Sequence, residues 1–166
     1  MVRREAPRGL LQKLLTGLFL ILLLPVVIVL IPAYFVYSGF LYLAVFAVWL
    51  PRGKDVLFIY SDSPHWKEHI ESNVLPSLQG RAVVLNWSER SVWGKRWFSL
   101  AVVCFRHFSG TREFNPMAVV FRRFRRAKVF RFWQAFQDHK HGTSSSLQEI
   151  ERAFFQYLQS ADQVTK

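Results

Sequence analysis

The chain has 166 residues, 51% of them hydrophobic, and a formal net charge of +11 that arises from 22 Lys and Arg against 11 Asp and Glu. Its single cysteine, Cys104, excludes an intrachain disulfide, and the sequence contains no internal repeat and no long low-complexity tract. The excess of basic residues indicates an anionic partner, for which a lipid surface and nucleic acid are the two candidates.

The longest uncharged stretch of the sequence is residues 14–50, which contain no Asp, Glu, Lys, Arg or His. An apolar run of this length is typical of a transmembrane segment. As a helix it would span about 55 Å, which is too long for one upright crossing of a roughly 30 Å hydrocarbon core and barely enough for two. Three arrangements remain: a hairpin turning near Pro32 or Ser38-Gly39, one crossing followed by an interfacial helix, or one long helix kinked at its prolines.

The charges on either side of this stretch predict its topology. Residues 1–13 form a basic arm with a net charge of +3, and Arg52 and Lys54 follow the apolar run. Because basic flanks favour the cytoplasmic side, we expect both ends of the chain in the cytoplasm, which a hairpin satisfies best. A signal peptide is the alternative, but the run exceeds the roughly 7–15 residues of a signal core and lacks a small-x-small cleavage site in its final third.

We therefore predict an integral membrane protein with three parts. A basic cytoplasmic arm covers residues 1–13, a membrane anchor covers 14–50, and a basic cytoplasmic domain covers 51–166 with a net charge of +8. About 116 residues are enough for one compact domain.

Hydrophobic patterning in the third part predicts four strands. Continuous apolar runs at 55–60, 82–86 and 117–121 are typical of buried strands, and residues 128–133 alternate cations with apolar side chains as an edge strand does. We expect the first three to be neighbours in one sheet, with 56–60 in a central position.

Three helices are expected between and after these strands. The first covers 64–78, with Ser63 as its cap and with Trp66, Ile70 and Val74 on one face. The second covers 97–108. The third starts at Ser144 to Ser146, and its apolar face comprises Leu147, Ile150, Phe154 and Leu158.

The resulting order, β-α-β-α-β-β-α, predicts an α/β fold, namely a small three-layer domain with a mainly parallel sheet. Residues 55–66, DVLFIYSDSPHW, resemble the first strand and loop of TIR-like and flavodoxin-like α/β domains. The resemblance implies a Rossmann-like strand followed by a helix. TIR enzymes that cleave NAD use a glutamate on a later helix, following a tryptophan, whereas the residues after Trp93, GKRWFSLAVV, contain no acid. No activity is therefore carried over.

Polar side chains follow the predicted strands. Ligands of open parallel sheets bind at the carboxyl ends of the strands, and a helix start at Ser63 is a natural anion site. The same residue types also simply cap helices, which is the alternative interpretation. The predicted anion-binding residues are Ser61, Asp62, Ser63, Asn86, Ser88 and Arg122.

The densest charge feature is the segment from Phe121 to Arg131, in which six of eleven residues are cationic and interleave with Phe. Such a segment fits a solvated turn, a binding surface for single-stranded nucleic acid, or a surface for anionic headgroups, where each cation contributes on the order of 1 kcal/mol. A membrane tether raises the local concentration of the domain at the bilayer, so headgroups are favoured over nucleic acid. The predicted contact residues are Arg122, Arg123, Arg125, Arg126, Lys128 and Arg131.

Two segments have histidine spacings that occur in metal sites. His65, Glu68 and His69 match HxxEH, the inverted zinc-peptidase motif, and Asp138 precedes His139 and His141. An exposed helix face and a solvated loop explain them better, because such a peptidase needs a larger fold and a distant third ligand. Neither GxGxxG nor GxxxxGK[ST] occurs. We therefore predict no metal and no cofactor.

Together these features favour a small membrane-anchored α/β protein that acts as a binding or scaffold module at the inner leaflet. One alternative is a membrane-tethered enzyme acting on an anionic, phosphorylated or nucleotide-like substrate at the carboxyl edge of the strands. Another is an accessory subunit of a membrane complex, whose membrane-protein partner would cover the many aromatic residues between 87 and 136.

Overall fold

The computed structural model describes residues 8–93, 99–110, 115–123, 125–140 and 145–164. It divides the chain into two compact units, one ending at Phe40 and the other beginning at Leu41. The predicted basic arm lies mostly outside the described residues, as do residues 97 and 98 of the second predicted helix and Ser144 of the third.

The first unit consists of most of α1 (Arg8–Val48), a single helix of 41 residues. Large apolar side chains from Leu14 to Phe40 are exposed, and the helix is long and apolar enough to span a membrane, a criterion that a signal sequence also meets. The predicted hairpin does not occur, because the helix continues through Pro32 and Gly39 without a turn. Each proline removes one backbone donor, which a helix of this length tolerates.

The second unit is built on a four-stranded mixed sheet with the order β2-β1-β3-β4. The strands are β1 (Val56–Tyr60), β2 (Ala82–Asn86), β3 (Met117–Arg122) and β4 (Arg125–Arg131). As predicted, β1 is buried along its whole length and lies between β2 and β3, and β4 is an edge strand. It begins at Arg125, three residues earlier than the sequence indicated.

The predicted mainly parallel sheet is not confirmed. β1 and β2 are parallel, but β1 pairs with β3, and β3 with β4, in antiparallel fashion. The connection from β2 to β3 starts and finishes at the same end of the sheet, so β3 must run opposite to β1. Two residues join β3 to β4, and a connection that short can only join antiparallel strands.

Helices cover both faces of the sheet and give the predicted three layers. One face carries α2 (Lys67–His69), a π-helical turn (Ile70–Val74), α3 (Leu75–Ser77), α6 (Trp133–Lys140) and α7 (Ser145–Val164). The other face carries the last turns of α1, α4 (Arg90–Trp93) and α5 (Leu100–Phe108). Side chains alternate between the two cores, so Val56 and Phe58 face the first set of helices while Leu57 and Ile59 face the second.

The first of the predicted helices differs from the expectation in two ways. It begins at Lys67 because Ser63–Trp66 form a turn in which the Ser63 carbonyl accepts the N–H of Lys67. The π-helical turn lies just before Pro76, whose ring would clash with the carbonyl four residues earlier in a regular α-helix. Trp66, Ile70 and Val74 are nevertheless all buried on one face, as predicted.

The core of the second unit includes the last two turns of α1. Val45 is fully buried, and Leu41 and Trp49 are 6% and 7% exposed. The Trp49 ring packs edge-on against Phe121 at 5.8 Å between centroids. The predicted linker after residue 50 is a short 3₁₀ turn, Leu50–Arg52, and the N–H of Lys54 donates to the Trp49 carbonyl at 2.9 Å. The compact unit therefore begins ten residues before the predicted boundary at 51.

Candidate anion-binding site

The predicted residues at the carboxyl ends of β1 and β2 do come together, and we call this edge of the sheet the polar end. Because the two strands are parallel, they finish side by side. The Asp62 backbone N–H donates to Ser88 Oγ at 2.9 Å, and Asn86 Nδ2 donates to Asp62 Oδ2 at 3.1 Å. Lys67 Nζ pairs with Asp62 Oδ1 at 2.7 Å. Hydrogen bonds from Lys67 and Asn86 lower the pKa of Asp62.

The remaining polar groups at this end are also bonded locally. Ser61 Oγ accepts Trp66 Nε1–H at 3.2 Å, and Ser63 Oγ lies 3.5 Å from the N–H of His65. Asn86 Oδ1 accepts the N–H of Ser88 at 3.0 Å. Each of these side chains thus makes a hydrogen bond within the turn, with the three serine hydroxyls as acceptors, which favours the capping interpretation.

Tyr60, the last residue of β1, is hydrogen-bonded to the π-helical turn that follows α2. Tyr60 Oη donates to Glu71 Oε1 at 2.9 Å. Burial, reinforced by this hydrogen bond, raises the pKa of Tyr60 to about 12. Tyr60 is therefore a neutral hydrogen-bond donor at physiological pH, and its role is to fix the π-helical turn against the end of β1.

Arg122, which was assigned to the same anion site, lies at the opposite end of the sheet. Its strand, β3, runs antiparallel to β1, so the end of β3 lies beside Val56 and not beside Tyr60. We call this opposite edge the cationic end: β1 and β2 begin there, β3 finishes there and β4 begins there. The prediction failed because it assumed a parallel β3.

At the cationic end, Arg122 packs against α7. Its guanidinium carbon lies 3.7 Å from the centroid of the Tyr157 ring. Nη2 donates to the Tyr157 carbonyl and to Ser160 Oγ, the latter at 3.1 Å. Arginine stacked on an aromatic face and held by two acceptors has little freedom left.

Lys128 approaches the same tyrosine from the next strand. Its Nζ lies 4.4 Å from the Tyr157 centroid and 4.9 Å from that of Phe130. Sequence reasoning did not single out Tyr157. The available signal was its place three residues after Phe154 on a helix, which puts it at the border of the apolar face.

The hairpin tip carries three exposed cations of the basic segment, Arg123, Arg125 and Arg126. They form no ion pair with any carboxylate in the described part of the chain. The strand register shifts between Val120 and Arg122, so β4 has one extra residue there. At this bulge, the N–H of Ala127 donates to Tyr42 Oη at 2.6 Å. The tip is thereby bonded to α1. Phe124 lies outside the described residues.

Arg131, the last cation of the predicted set, does not belong to this surface. It lies at the other end of β4, opposite Met117. Its Nη2 donates to the Ser109 carbonyl at 3.0 Å. Although Arg131 belongs to the same sequence segment as the other five cations, it lies at the far end of β4 and contacts the residue that follows α5.

Acidic groups are scarce at the cationic end. Asp55 is the only carboxylate that the described strand ends place there, and it is bound to Arg81 by two hydrogen bonds, of 2.6 Å and 3.1 Å. The nearby Lys54 donates to the Ala82 carbonyl at 3.3 Å and has no acidic partner among the residues described. Among the described strand ends, cations therefore outnumber the single carboxylate at this end of the sheet.

The histidine motifs do not assemble into a metal site in the described residues. His69 Nε2 lies 2.6 Å from Glu151 Oε1 on α7, and its Nδ1 lies 3.2 Å from Asn73 Nδ2. His141 is outside the part of the chain that is described. Cys104 is buried, and burial raises the pKa of its thiol to about 12, so it is a poor nucleophile.

Comparison of the chain with protein-family models, with characterised proteins and with solved structures finds no match.

The two ends of the sheet differ in the polar and charged groups that they leave available to a ligand. At the polar end, hydrogen bonds within the turn occupy the groups. At the cationic end, exposed guanidinium groups remain without carboxylate partners among the described residues, which is the arrangement that binds anions.

Proposed function

We propose that this protein is a membrane-anchored binding module whose cationic end holds anionic headgroups of the cytoplasmic leaflet. The observation that carries the proposal is the hairpin tip. Arg123, Arg125 and Arg126 are exposed, and the strand that bears them is hydrogen-bonded to Tyr42, which follows Phe40 by two residues in the chain. In the chain, Tyr42 thus comes just after the apolar stretch 14–40 that the proposal assigns to the membrane.

The length of the exposed apolar stretch supports one membrane crossing. Once the residues from Leu41 onwards are assigned to the folded unit, 14–40 remain, and these 27 residues span about 40 Å as a helix. That length suits a core of roughly 30 Å with moderate tilt. Because α1 continues into the domain core through Val45, retention of the helix is favoured over removal as a signal.

With one crossing, the arm and the domain lie on opposite sides of the membrane. Cations close to a membrane helix favour the cytoplasm, and the arm has four of them within 13 residues, against Arg52 and Lys54 on the other flank. A large folded domain is located largely regardless of this count, and the anionic lipids of the cytoplasmic leaflet attract a domain with a net charge of +8. We therefore propose the domain in the cytoplasm and, with one crossing, the arm on the far side in place of the predicted cytoplasmic arm.

The alternatives have weaker support. An enzyme at the carboxyl edge would need free polar groups there, and those of Asp62, Asn86 and Ser88 are hydrogen-bonded to each other. An accessory-subunit role would use the same anchor but would not require exposed cations at the hairpin tip. Nucleic acid would use those cations, and the experiment below includes it.

The test uses the full chain in lipid nanodiscs, with an environment-sensitive NBD label on Arg126→Cys. Buried Cys104 does not compete for the label. Nanodiscs contain either phosphatidylcholine alone or a mixture with phosphatidylglycerol. We expect blue-shifted, stronger NBD emission in the anionic nanodiscs only. The emission shift should weaken between low salt and 0.5 M salt, because the Debye length falls from about 10 Å at 0.1 M towards about 3 Å at 1 M.

Adding Arg123→Gln and Arg125→Gln should remove most of the lipid-dependent change, since each cation contributes on the order of 1 kcal/mol. The matched control removes two exposed cations elsewhere, Arg106→Gln and Arg152→Gln, and should retain it. Equal emission in neutral and anionic nanodiscs at low salt would refute the proposal. A response to single-stranded RNA in its place would identify nucleic acid as the partner.

A further inference from the structure

We infer that Arg122 and Lys128, which both contact the ring of Tyr157, form a cationic notch that binds a phosphomonoester group presented by a lipid. This rests on the proposed function, because it names the headgroup that the cationic end selects. The exposed tip attracts any anionic surface. The notch differs from the tip in having two cations that converge on one aromatic ring.

The two charges of the notch converge on one aromatic ring. Arg122 lies 3.7 Å and Lys128 lies 4.4 Å from the Tyr157 centroid. The guanidinium carbon and Lys128 Nζ are therefore no more than about 8 Å apart, and like charges at this distance repel each other weakly across solvent. Neither has an ion pair with a carboxylate among the side chains that the structure describes, which do not include those of residues 161–164. A bound anion would relieve that repulsion.

The donors of Arg122 are only partly used. Nη2 is bound to the Tyr157 carbonyl and Ser160 Oγ, whereas Nε is buried without a partner and Nη1 has none among the described residues. The guanidinium is thus immobilised through Nη2, and Nη1 keeps its donors for a ligand, whereas the buried Nε does not reach solvent. Directed guanidinium donors and a nearby ammonium charge are the combination to which phosphate oxygens bind.

The charge of the notch selects among phosphates. A phosphodiester, as in phosphatidylglycerol, carries one negative charge and can neutralise one of the two cations. A phosphomonoester, as in phosphatidic acid, approaches two charges near pH 7 and can neutralise both. The notch should therefore favour a phosphomonoester beyond the general attraction of an anionic leaflet.

The alternative for these contacts is a purely structural one, in which Arg122 and Lys128 only pin α7 to the sheet. The structural and the binding interpretations can be separated by substituting Lys128, whose side chain is exposed and makes no hydrogen bond with the described residues. Lys128→Gln removes one charge of the notch. Lys128→Arg restores the charge, and Arg126→Gln removes an equal charge from the same strand outside the notch.

The experiment measures thermal unfolding of the full chain in nanodiscs by tryptophan fluorescence. Neutral nanodiscs are compared with nanodiscs containing phosphatidic acid or phosphatidylglycerol at equal total charge, and with neutral nanodiscs plus inorganic phosphate. We expect phosphatidic acid to raise Tm by about 5 °C more than phosphatidylglycerol does. Lys128→Gln should abolish that excess, which corresponds to roughly a tenfold loss of affinity, whereas Lys128→Arg and Arg126→Gln should keep it.

The outcomes separate the two proposals. Equal stabilisation by both lipids, with Lys128→Gln behaving like Arg126→Gln, overturns the notch and leaves general headgroup binding intact. No stabilisation by either lipid, together with unchanged NBD emission, overturns both. A response to inorganic phosphate that needs Lys128, without one to phosphatidic acid, overturns the lipid source. If Lys128→Gln already lowers Tm in neutral nanodiscs and shows no lipid-specific loss, the contacts are structural and the notch is refuted.

Discussion

The two ends of one small sheet use charged residues in opposite ways. At the polar end, the Asp62 carboxylate binds Lys67 and Asn86, and its backbone N–H donates to Ser88, so the charge of Asp62 is paired locally. At the cationic end, Asp55 is the only carboxylate supplied by the described strand ends, and Arg81 already occupies it. A cluster of polar residues is thus not by itself a binding site. What distinguishes a site is the set of donors and charges that the fold leaves unpaired.

Strand direction explains why the ends differ. The polar end consists of turns that lead from parallel strands into helices, and such turns need caps. The cationic end consists of strand starts and an antiparallel hairpin, which need no caps. The exposed cations of the hairpin there are therefore available for other partners.

The largest expected effect concerns the core beneath the cationic end. Trp49→Ala should lower the free energy of unfolding of the domain by about 3–5 kcal/mol, because it empties a buried site beside Phe121. Thermal unfolding of the full chain in nanodiscs would measure this. Leu43→Ala is the control on the same helix, since Leu43 is 62% exposed.

The two variants also test whether the cationic end is anchored by α1. If Trp49→Ala and Leu43→Ala unfold at the same temperature as the unaltered chain, the end of α1 is not part of the core. The hairpin would then lose its fixed position beside Tyr42, and the contrast between the two ends would lose its physical basis.

The position of Trp49 also shows what the sequence could and could not predict. The uncharged run 14–50 identified an apolar helix correctly, but membrane and core favour the same side chains. Val45 and Trp49 are uncharged and apolar, as Leu22 and Ile28 are, so hydrophobicity does not separate the two pairs. The first two are nevertheless buried in the domain. The division at Leu41 depends on tertiary packing, so the length of the run fitted neither one crossing nor two.

The site illustrates the same limit at the level of topology. Apolar runs predicted that β1, β2 and β3 exist and are neighbours, because burial determines which residues form such strands. Local patterns do not encode strand direction, which depends on where the chain returns between β2 and β3. Asn86 and Ser88 were therefore placed correctly beside Asp62, whereas Arg122 was assigned to the wrong end. Tyr157 was missed because its partners come from two other strands.

The next effect in size tests the scarcity of acid at the cationic end. Asp55→Asn removes the partner of Arg81, whose side chain is 27% exposed, and should lower the free energy of unfolding by about 1–3 kcal/mol. It also removes one negative charge from this end, so lipid-dependent NBD emission should reach half its maximum at about a two- to fivefold lower content of anionic lipid. Stability and binding would thus change in opposite directions. A variant that binds more weakly would contradict the assignment of this end as the binding surface.

The smallest expected effect comes from removing the corresponding acid at the polar end. Asp62→Asn changes the net charge as much as Asp55→Asn does, but Asp62 is exposed and distant from the hairpin tip. We expect the anionic-lipid titration to be unchanged within about a factor of two, because exposed charges beyond a Debye length of about 8 Å are screened.

The stability difference between Asp62→Asn and the unaltered chain should depend on pH. Lys67 and Asn86 lower the pKa of Asp62 in the folded state, so its contribution is present above the unfolded value of about 3.9 and is lost as the pH falls through the folded pKa. The melting temperatures of the variant and the unaltered chain should therefore differ slightly at pH 7 and converge once the pH has fallen below the lowered pKa of Asp62. If Asp62→Asn strengthened lipid binding as much as Asp55→Asn, net charge alone would govern the interaction, and the distinction between the two ends of the sheet would be lost.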